Sequence, residues 1–175
     1  MFGVSGVGKS WMISNVAKNQ DDFAQISASK LIKEAANDPL MKSEALRTVG
    51  AVGIDKNQNL LVLSFNKYLS TTEKSKILFD GHSVIDTDTG FFEIDVTVIQ
   101  SIAPSTIIFV WDDPNKILIR RTRDSSRVRP VRTVEEIENY QSIALNVCKK
   151  YSTKLNIPLI KIRSGDLVSL EEVII

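Results

Sequence analysis

A three-layer α/β fold, built on a mostly parallel five-stranded sheet with helices on both faces, is what this sequence predicts. Three observations carry the prediction. Short apolar segments rich in β-branched and aromatic residues, at 76–80 (KILFD), 106–111 (TIIFVW) and 158–163 (PLIKIR), read as buried strands. Helical patterns separate them, which is the alternation of a parallel sheet covered on both sides. A glycine run at residues 3–8 opens directly onto a helical pattern, and the 175 residues suffice for one domain with its own core.

Taken in order, residues 10–18 read as the helix opened by the glycine run, and residues 23–26 as a short strand. Residues 29–36 form a helical pattern stopped by Asn37-Asp38-Pro39, and residues 60–69 another helix before the 76–80 strand. After the 106–111 strand come helices over 115–123 and 134–150. The second has Thr133 as its N-cap, with Glu135 and Glu136 in its first turn. The 158–163 strand is the last, and residues 170–175 begin a closing helix. Only Met1 and Phe2 precede the first glycine, so the first strand of the sheet is expected to be truncated. No repeat, low-complexity tract or linker divides the chain, so residues 1–175 are read as one domain.

Composition narrows the class. Hydrophobic residues at 43% and charged residues at 25% exclude a disordered tail, a collagen-like fibre and a disulfide-stapled mini-protein. The longest nearly uncharged stretch, 94–110, is broken by Gln100, Ser101, Pro104 and Ser105, so no membrane span is expected. The start carries no apolar leader core, and a single cysteine cannot form an internal disulfide, so a cytoplasmic protein is expected. Cys148 lies on a helical pattern near Leu145 and is expected to be packed. A net charge of +1 gives no global case for nucleic-acid binding. That average hides a segregation: residues 80–113 hold seven acids and no Lys or Arg, whereas residues 116–132 hold seven cations and one acid, Asp124.

The sharpest motif is Gly3-Val4-Ser5-Gly6-Val7-Gly8-Lys9-Ser10, which fits G-x-x-x-x-G-K-[ST] throughout. Such a loop turns backbone N–H groups around a phosphate at a helix N-terminus. Lys9 is then expected to reach the β/γ-phosphates of ATP and Ser10 to hold Mg²⁺. The apolar strand ending in Asp80 has the form of the second, Mg²⁺-supporting element; its plain alternative is a strand-terminal carboxylate. His82, the only histidine, follows closely. The arginines Arg120, Arg121, Arg123, Arg127, Arg129 and Arg132 cannot share one helix face, so some belong to a loop, with Pro130 favouring a break. A basic loop beside a phosphate loop fits a lid that excludes water during phosphoryl transfer. The competing reading is an exposed basic helix that touches RNA or a partner.

Asp80-Gly81-His82-Ser83, Gly90-Phe91-Phe92, the 106–111 strand, Ile117 to Arg121, Arg127-Val128-Arg129 and the helix with Glu135, Glu136 and Gln141 follow in one order. With the phosphate loop, this order resembles the archaeal-type adenylate kinases, a branch of the P-loop nucleoside monophosphate kinases. The resemblance covers the loop and nearly everything from residue 76 to about 163, and is loose over 37–75. It implies the monophosphate-kinase strand order, a monophosphate-binding region over about 27–70 and a short lid over about 123–133. It further implies that Arg120 or Arg121 stabilises the transferring phosphoryl group while Arg127 and Arg129 close over ATP. Trp11, directly after the motif, is expected to pack on the sheet or near the adenine, and Arg163 to contact the adenine of ATP. On the acceptor side, Ser29 and Lys33 fall in a segment that contacts the monophosphate in these kinases. There Lys33 stands where they carry an arginine, and the Gly-Asp pair is Ser29-Lys30. Arg47 and Gln58 fall where an arginine meets phosphate and polar groups meet the base, and His82 is placed with them.

The expected activity is therefore Mg²⁺-dependent transfer from ATP to a nucleoside monophosphate. A P-loop ATPase or nucleotide-dependent switch, a kinase of another small acceptor, and a non-enzymatic module using the basic patch are the alternatives.

Overall fold

The computed structural model describes residues 1–18, 22–38, 40–42 and 44–174, and its elements alternate as the sequence predicts. Helix α1 (Lys9–Ala17) starts at Gly8 and buries Met12, Ile13 and Val16. Strand β1 (Phe23–Ser27) runs into α2 (Ala28–Ala35), which buries Leu31 and Ile32 and is followed by Asn37 in the left-handed region at φ 54°. Pro39 of the expected helix stop lies outside the described residues.

A short helix, α3 (Ala45–Thr48), leads into α4 (Gly50–Leu69), which has 20 residues and starts well before the expected position 60. Gly50 and Gly53 lower its propensity and hide its first turns from a local reading. Tertiary burial of Ile54, Gln58, Leu61 and Phe65, one helical stripe, overrides them. β2 (Lys76–Asp80) lies where predicted. An unpredicted antiparallel hairpin follows, β3 (Val84–Thr87) and β4 (Gly90–Glu93), turning at Gly90 with φ 136°. Next comes α5 (Val96–Ile102), also unpredicted because Val96, Thr97, Val98 and Ile99 are β-branched. Asp95 caps it by accepting a hydrogen bond from the Thr97 N–H at 2.8 Å.

β5 (Ile107–Trp111) precedes α6 (Pro114–Arg123), which opens with Pro114 at its first position and Asp113 as cap. α7 (Val134–Leu155) carries a capping box between Thr133 and Glu136 and runs five residues past the expected 150, to Asn156 in the left-handed region. β6 (Leu159–Arg163) and α8 (Leu167–Ile174) close the chain; α8 starts before the expected 170, and its expected last residue, 175, lies outside the described residues.

β1 pairs in parallel with β2, and β5 in parallel with β6. Met1 and Phe2 join the two pairs. The Met1 nitrogen donates to the Phe79 carbonyl at 2.7 Å, and the Gly81 N–H donates to the Met1 carbonyl at 3.2 Å. On the other side the Phe2 N–H donates to Ile108 at 2.7 Å and the Val110 N–H to Phe2 at 2.8 Å. The order is therefore β1, β2, Met1–Phe2, β5, β6. This is the predicted parallel arrangement, with two residues in the place of the central strand.

Phe2, Phe109, Val110 and Ile162 form the middle of the core, and Cys148 is buried as expected. Tyr140 and Tyr151 tie α7 to the hairpin region by donating to the carbonyls of Val84 at 2.8 Å and Ile94 at 2.5 Å. Among the described residues no helix is long and apolar enough to cross a membrane. Because the Thr133 capping box starts the helix that follows the basic loop, Thr133→Ala should cost about 1 kcal/mol. Thermal unfolding should then shift down by about 2–4 °C.

Candidate functional site

The parallel order brings the ends of Met1–Phe2, β2, β5 and β6 to one edge, and the glycine loop lies across it. Two of its glycines are required by close approach and by positive φ. A Cβ on Gly6, at φ 87°, would stand 2.6 Å from Cγ of Arg121, and one on Gly8, at φ 106°, would stand 2.8 Å from Oγ of Ser164. Val4, Ser5, Gly6, Gly8, Lys9 and Ser10 line a cleft of about 320 Å³. Gly3 and Val7 are buried in the loop behind it.

Lys9 is buried and donates from Nζ to the Gly3 carbonyl at 2.7 Å, with Nε2 of His82 at 3.4 Å. Burial, and then the Arg127 cation, push the Lys9 ammonium below its usual value, against the pull of Asp80. Ser10 donates from Oγ to Oδ2 of Asp80 at 2.8 Å, so a hard oxygen of the loop motif and one from the end of β2 stand together.

Arg120 and Arg121, adjacent on α6, diverge as neighbouring helix positions must. Arg120 turns to the loop, donating from Nη1 to the Val7 carbonyl at 3.0 Å and from Nη2 to the buried Asp112 at 2.5 Å. Arg121 turns the other way and donates from Nη2 to Asp86 at 3.1 Å and to the Pro130 carbonyl at 2.9 Å. The segment between α6 and α7 carries Arg127 and Arg129 over the cleft. Arg129 donates from Nε to Oγ of Ser5 at 3.0 Å and from Nη2 to Asp124 at 2.5 Å. The Val128 N–H of this segment donates to Oε1 of Glu44 at 2.6 Å, on the far side of a second cavity.

That second cavity, about 180 Å³, adjoins the cleft; Ser5, Ser29, His82, Arg127 and Arg129 line both. Its inner wall is apolar, with Phe2, Leu61, Phe79, Ile94 and Ile99, and Arg47, Gln58 and Arg121 are on its walls. Three guanidinium nitrogens of residues that line this cavity, Nε of Arg47 and Nη1 of Arg121 and of Arg129, are buried without a partner among the described residues.

Not every expected site residue comes to these walls. Lys33, half-buried on α2, is on neither. Trp11 does not pack on the sheet: it is 57% exposed and lines the cleft, because the first position after Ser10 points outward from α1. Arg163 is on neither wall; it lies over the Trp111 ring at 5.6 Å and beside Asp112 at 3.6 Å. Asp86, Asp112 and Glu44, which the sequence reading did not single out, hold the arginines and the loop. Their only sequence signal was the acidic block itself, which contains the first two.

The His82 side chain is exposed at the cleft, with protein packed closely around its ring. That surrounding protein, and then the cations of Lys9, Arg127 and Arg129, push its imidazole below its usual value. The unfolded chain protonates it near pH 6.5 while the folded protein does not, so its contribution to stability is full above that pH and is lost as pH falls. Urea unfolding between pH 7 and 5 should show stability declining, with a shallower decline in His82→Asn.

A family model described as AAA domain matches residues 2–138. An adenylate kinase of Thermococcus kodakarensis is 28% identical over 98% of this chain and 88% of its own length. One of Pyrococcus furiosus is 27% identical over the same shares, and one of Methanopyrus kandleri is 26% identical over 81% of this chain and 75% of its own. Among solved structures, shikimate kinase from Bacteroides thetaiotaomicron superposes with a TM-score of 0.61 at 14% identity, covering 98% of this chain and 94% of that one. The family model spans most of the chain, and the loop, strand order and cleft agree with it: the protein belongs to the AAA domain family, and within it resembles the archaeal adenylate kinases.

Proposed function

We propose that the protein transfers the γ-phosphoryl group of ATP to a nucleoside monophosphate, giving ADP and a nucleoside diphosphate. The observation that carries this reading is the trio of unpartnered buried guanidinium nitrogens, from Arg47, Arg121 and Arg129, around a cavity that adjoins the phosphate loop. A buried charged donor without a partner is costly, and an anion supplied by the substrate removes that cost. The apolar inner wall suits a base, with the Gln58 carboxamide among it.

The loop amides and Lys9 bind the ATP phosphates, and Lys9 leaves the Gly3 carbonyl to do so. Ser10 and Asp80 fit Mg²⁺, which keeps phosphate and water ligands and needs few from protein; among the described residues no cluster of three or more acidic, His or Cys ligands offers a fuller cage. Bound there, Mg²⁺ would neutralise phosphate oxygens as charge develops on them. An oxygen of the acceptor phosphate attacks the γ-phosphorus as the bond to the ADP oxygen breaks. Arg120 and Arg121 approach from opposite sides of α6, while Arg127 and Arg129 cover the cleft and exclude water. His82, neutral at pH 7, accepts a hydrogen bond from Lys9 and takes no proton from the acceptor phosphate, which is already ionised.

Incubating the purified protein with ATP, Mg²⁺ and each common monophosphate, then separating the products, should give one or more new diphosphates. Release of phosphate with no diphosphate would overturn the reading and leave hydrolysis. Lys9→Ala and Arg129→Ala should each lower kcat on the order of 100-fold or more, with the fold retained by circular dichroism.

A further inference from the structure

Arg121 is the side chain that reaches both halves of the site. Its stem crosses the phosphate loop so closely that only a residue without a Cβ fits at Gly6, where the distance to Cγ would be 2.6 Å. Its guanidinium continues to the wall of the second cavity. There Nη2 is held twice, by Oδ2 of Asp86 at 3.1 Å and by the Pro130 carbonyl at 2.9 Å. Two bonds on one nitrogen of a rigid planar group stop its rotation, so the direction of Nη1 is fixed as well. That Nη1 is buried and has no partner among the described residues.

Asp86 is itself anchored. Arg132 donates from Nε at 3.2 Å and from Nη2 at 2.9 Å to its Oδ1. Arg132 is held in turn by the Thr87 carbonyl at 3.2 Å, by Glu136 at 3.6 Å, and over the Phe91 ring at 5.4 Å. The charge on Arg121 is therefore balanced, and Asp86 has partners on both oxygens, yet one donor of the buried guanidinium stays open. A pair that served the fold alone would gain from closing it, since an unpaired buried donor weakens the folded state.

We propose that Asp86 is a positioning residue for the acceptor, holding Arg121 so that its free Nη1 meets an anionic oxygen of the bound monophosphate. Asp86 acts through Arg121 and does not touch the substrate. The same carboxylate ties down both ends of the basic loop, because Arg121 stands near the end of α6 and Arg132 just before α7. Acceptor binding and loop position thus share one anchor. This inference rests on reading the second cavity as the acceptor site.

The test uses AMP as acceptor and the full chain. In Asp86→Asn, KM for AMP should rise tenfold or more while KM for ATP stays within twofold. Thr133→Ala, which weakens the fold without touching Asp86 or Arg121, should leave KM for AMP within twofold. An unchanged KM for AMP in Asp86→Asn, or a parallel rise for AMP and ATP, overturns the role of Asp86. In wild-type protein labelled with ¹⁵N-arginine, the Arg121 Nη1 signal, assigned by its loss in Arg121→Lys, should shift when AMP is added. No shift at saturating AMP also overturns the proposal, and this arm decides it where Asp86→Asn is not recovered folded. Where the product screen shows another monophosphate to be the acceptor, that one replaces AMP in every arm; wild-type protein that neither binds nor phosphorylates any common monophosphate overturns both this inference and the acceptor reading beneath it. Wild-type activity with unaltered constants in Asp86→Asn overturns the inference alone.

Discussion

The four hydrogen bonds made by Met1 and Phe2 are the constraint on which the rest of the structure depends. They turn two parallel pairs of strands into one sheet, and each satisfies a backbone group that the core would otherwise leave without a partner. They also fix where the next residue goes. Gly3 leaves the sheet between the ends of β2 and β5, so the phosphate loop begins beside Asp80 on one side and Trp111-Asp112 on the other. The contact between Ser10 and Asp80, residues 70 positions apart, follows from this placement. So does the approach of the loop to α6, which leaves no room for a side chain at Gly6.

On that frame the segregated charges are brought face to face. The acidic block supplies Asp86 to Arg121 and Arg132, Asp88 to Arg47, and Asp112 to Arg120 and Arg163. The one acid within the basic block, Asp124, pairs with Arg129; Ser126 first, and then Arg129, hold its carboxyl down at about 2. These pairs orient more than they stabilise, since desolvation offsets much of the attraction in a buried pair. What remains after pairing is geometric: guanidinium groups held at fixed angles around the second cavity, with a few buried donors left unpaired among the described residues. Preorganised donors of this kind need not reorganise when charge arrives, which is how a site stabilises a transferring phosphoryl group.

How much of this was legible in the sequence follows from how local each signal is. The phosphate loop is contiguous, and the strand 76–80 ends in its carboxylate within five residues, so both could be read directly. The arginines could be recognised as too many for one helix face, which predicted a loop after α6. Their partners could not be recognised, because Asp86 is 35 residues from Arg121 and 46 from Arg132, and no local pattern records a pairing at that range. The first half of α4 was hidden by Gly50 and Gly53. α5 was hidden by β-branched residues that burial of Ile99 and Ile102 keeps helical. The surroundings of Arg163 were illegible for a related reason: the resemblance gave its position along the chain, whereas Trp111, opposite it across the β5–β6 pair, and the neighbouring Asp112 decide where its side chain lies.

The direction in which the arginines point favours the proposed phosphoryl transfer over binding at the surface. A nucleic-acid patch needs cations on the outside, free to displace counterions from a phosphate backbone. Here Arg121 is buried, and Arg129 and Arg132 have side chains only 11% and 17% exposed, each already committed to a carboxylate of the same chain. Of the seven cations in the basic block, Lys116, Arg123 and Arg127 are the exposed ones, and Arg127 lines the cleft itself. Cations arranged in this way can neutralise an anion that enters between the phosphate loop and the second cavity, but they present little to a ligand lying on the surface. Glu44 strengthens the argument, because its hydrogen bond to the Val128 N–H closes the basic loop across that cavity. The loop is thus bonded at once to the wall of the second cavity and, through Arg129, to Ser5 of the phosphate loop.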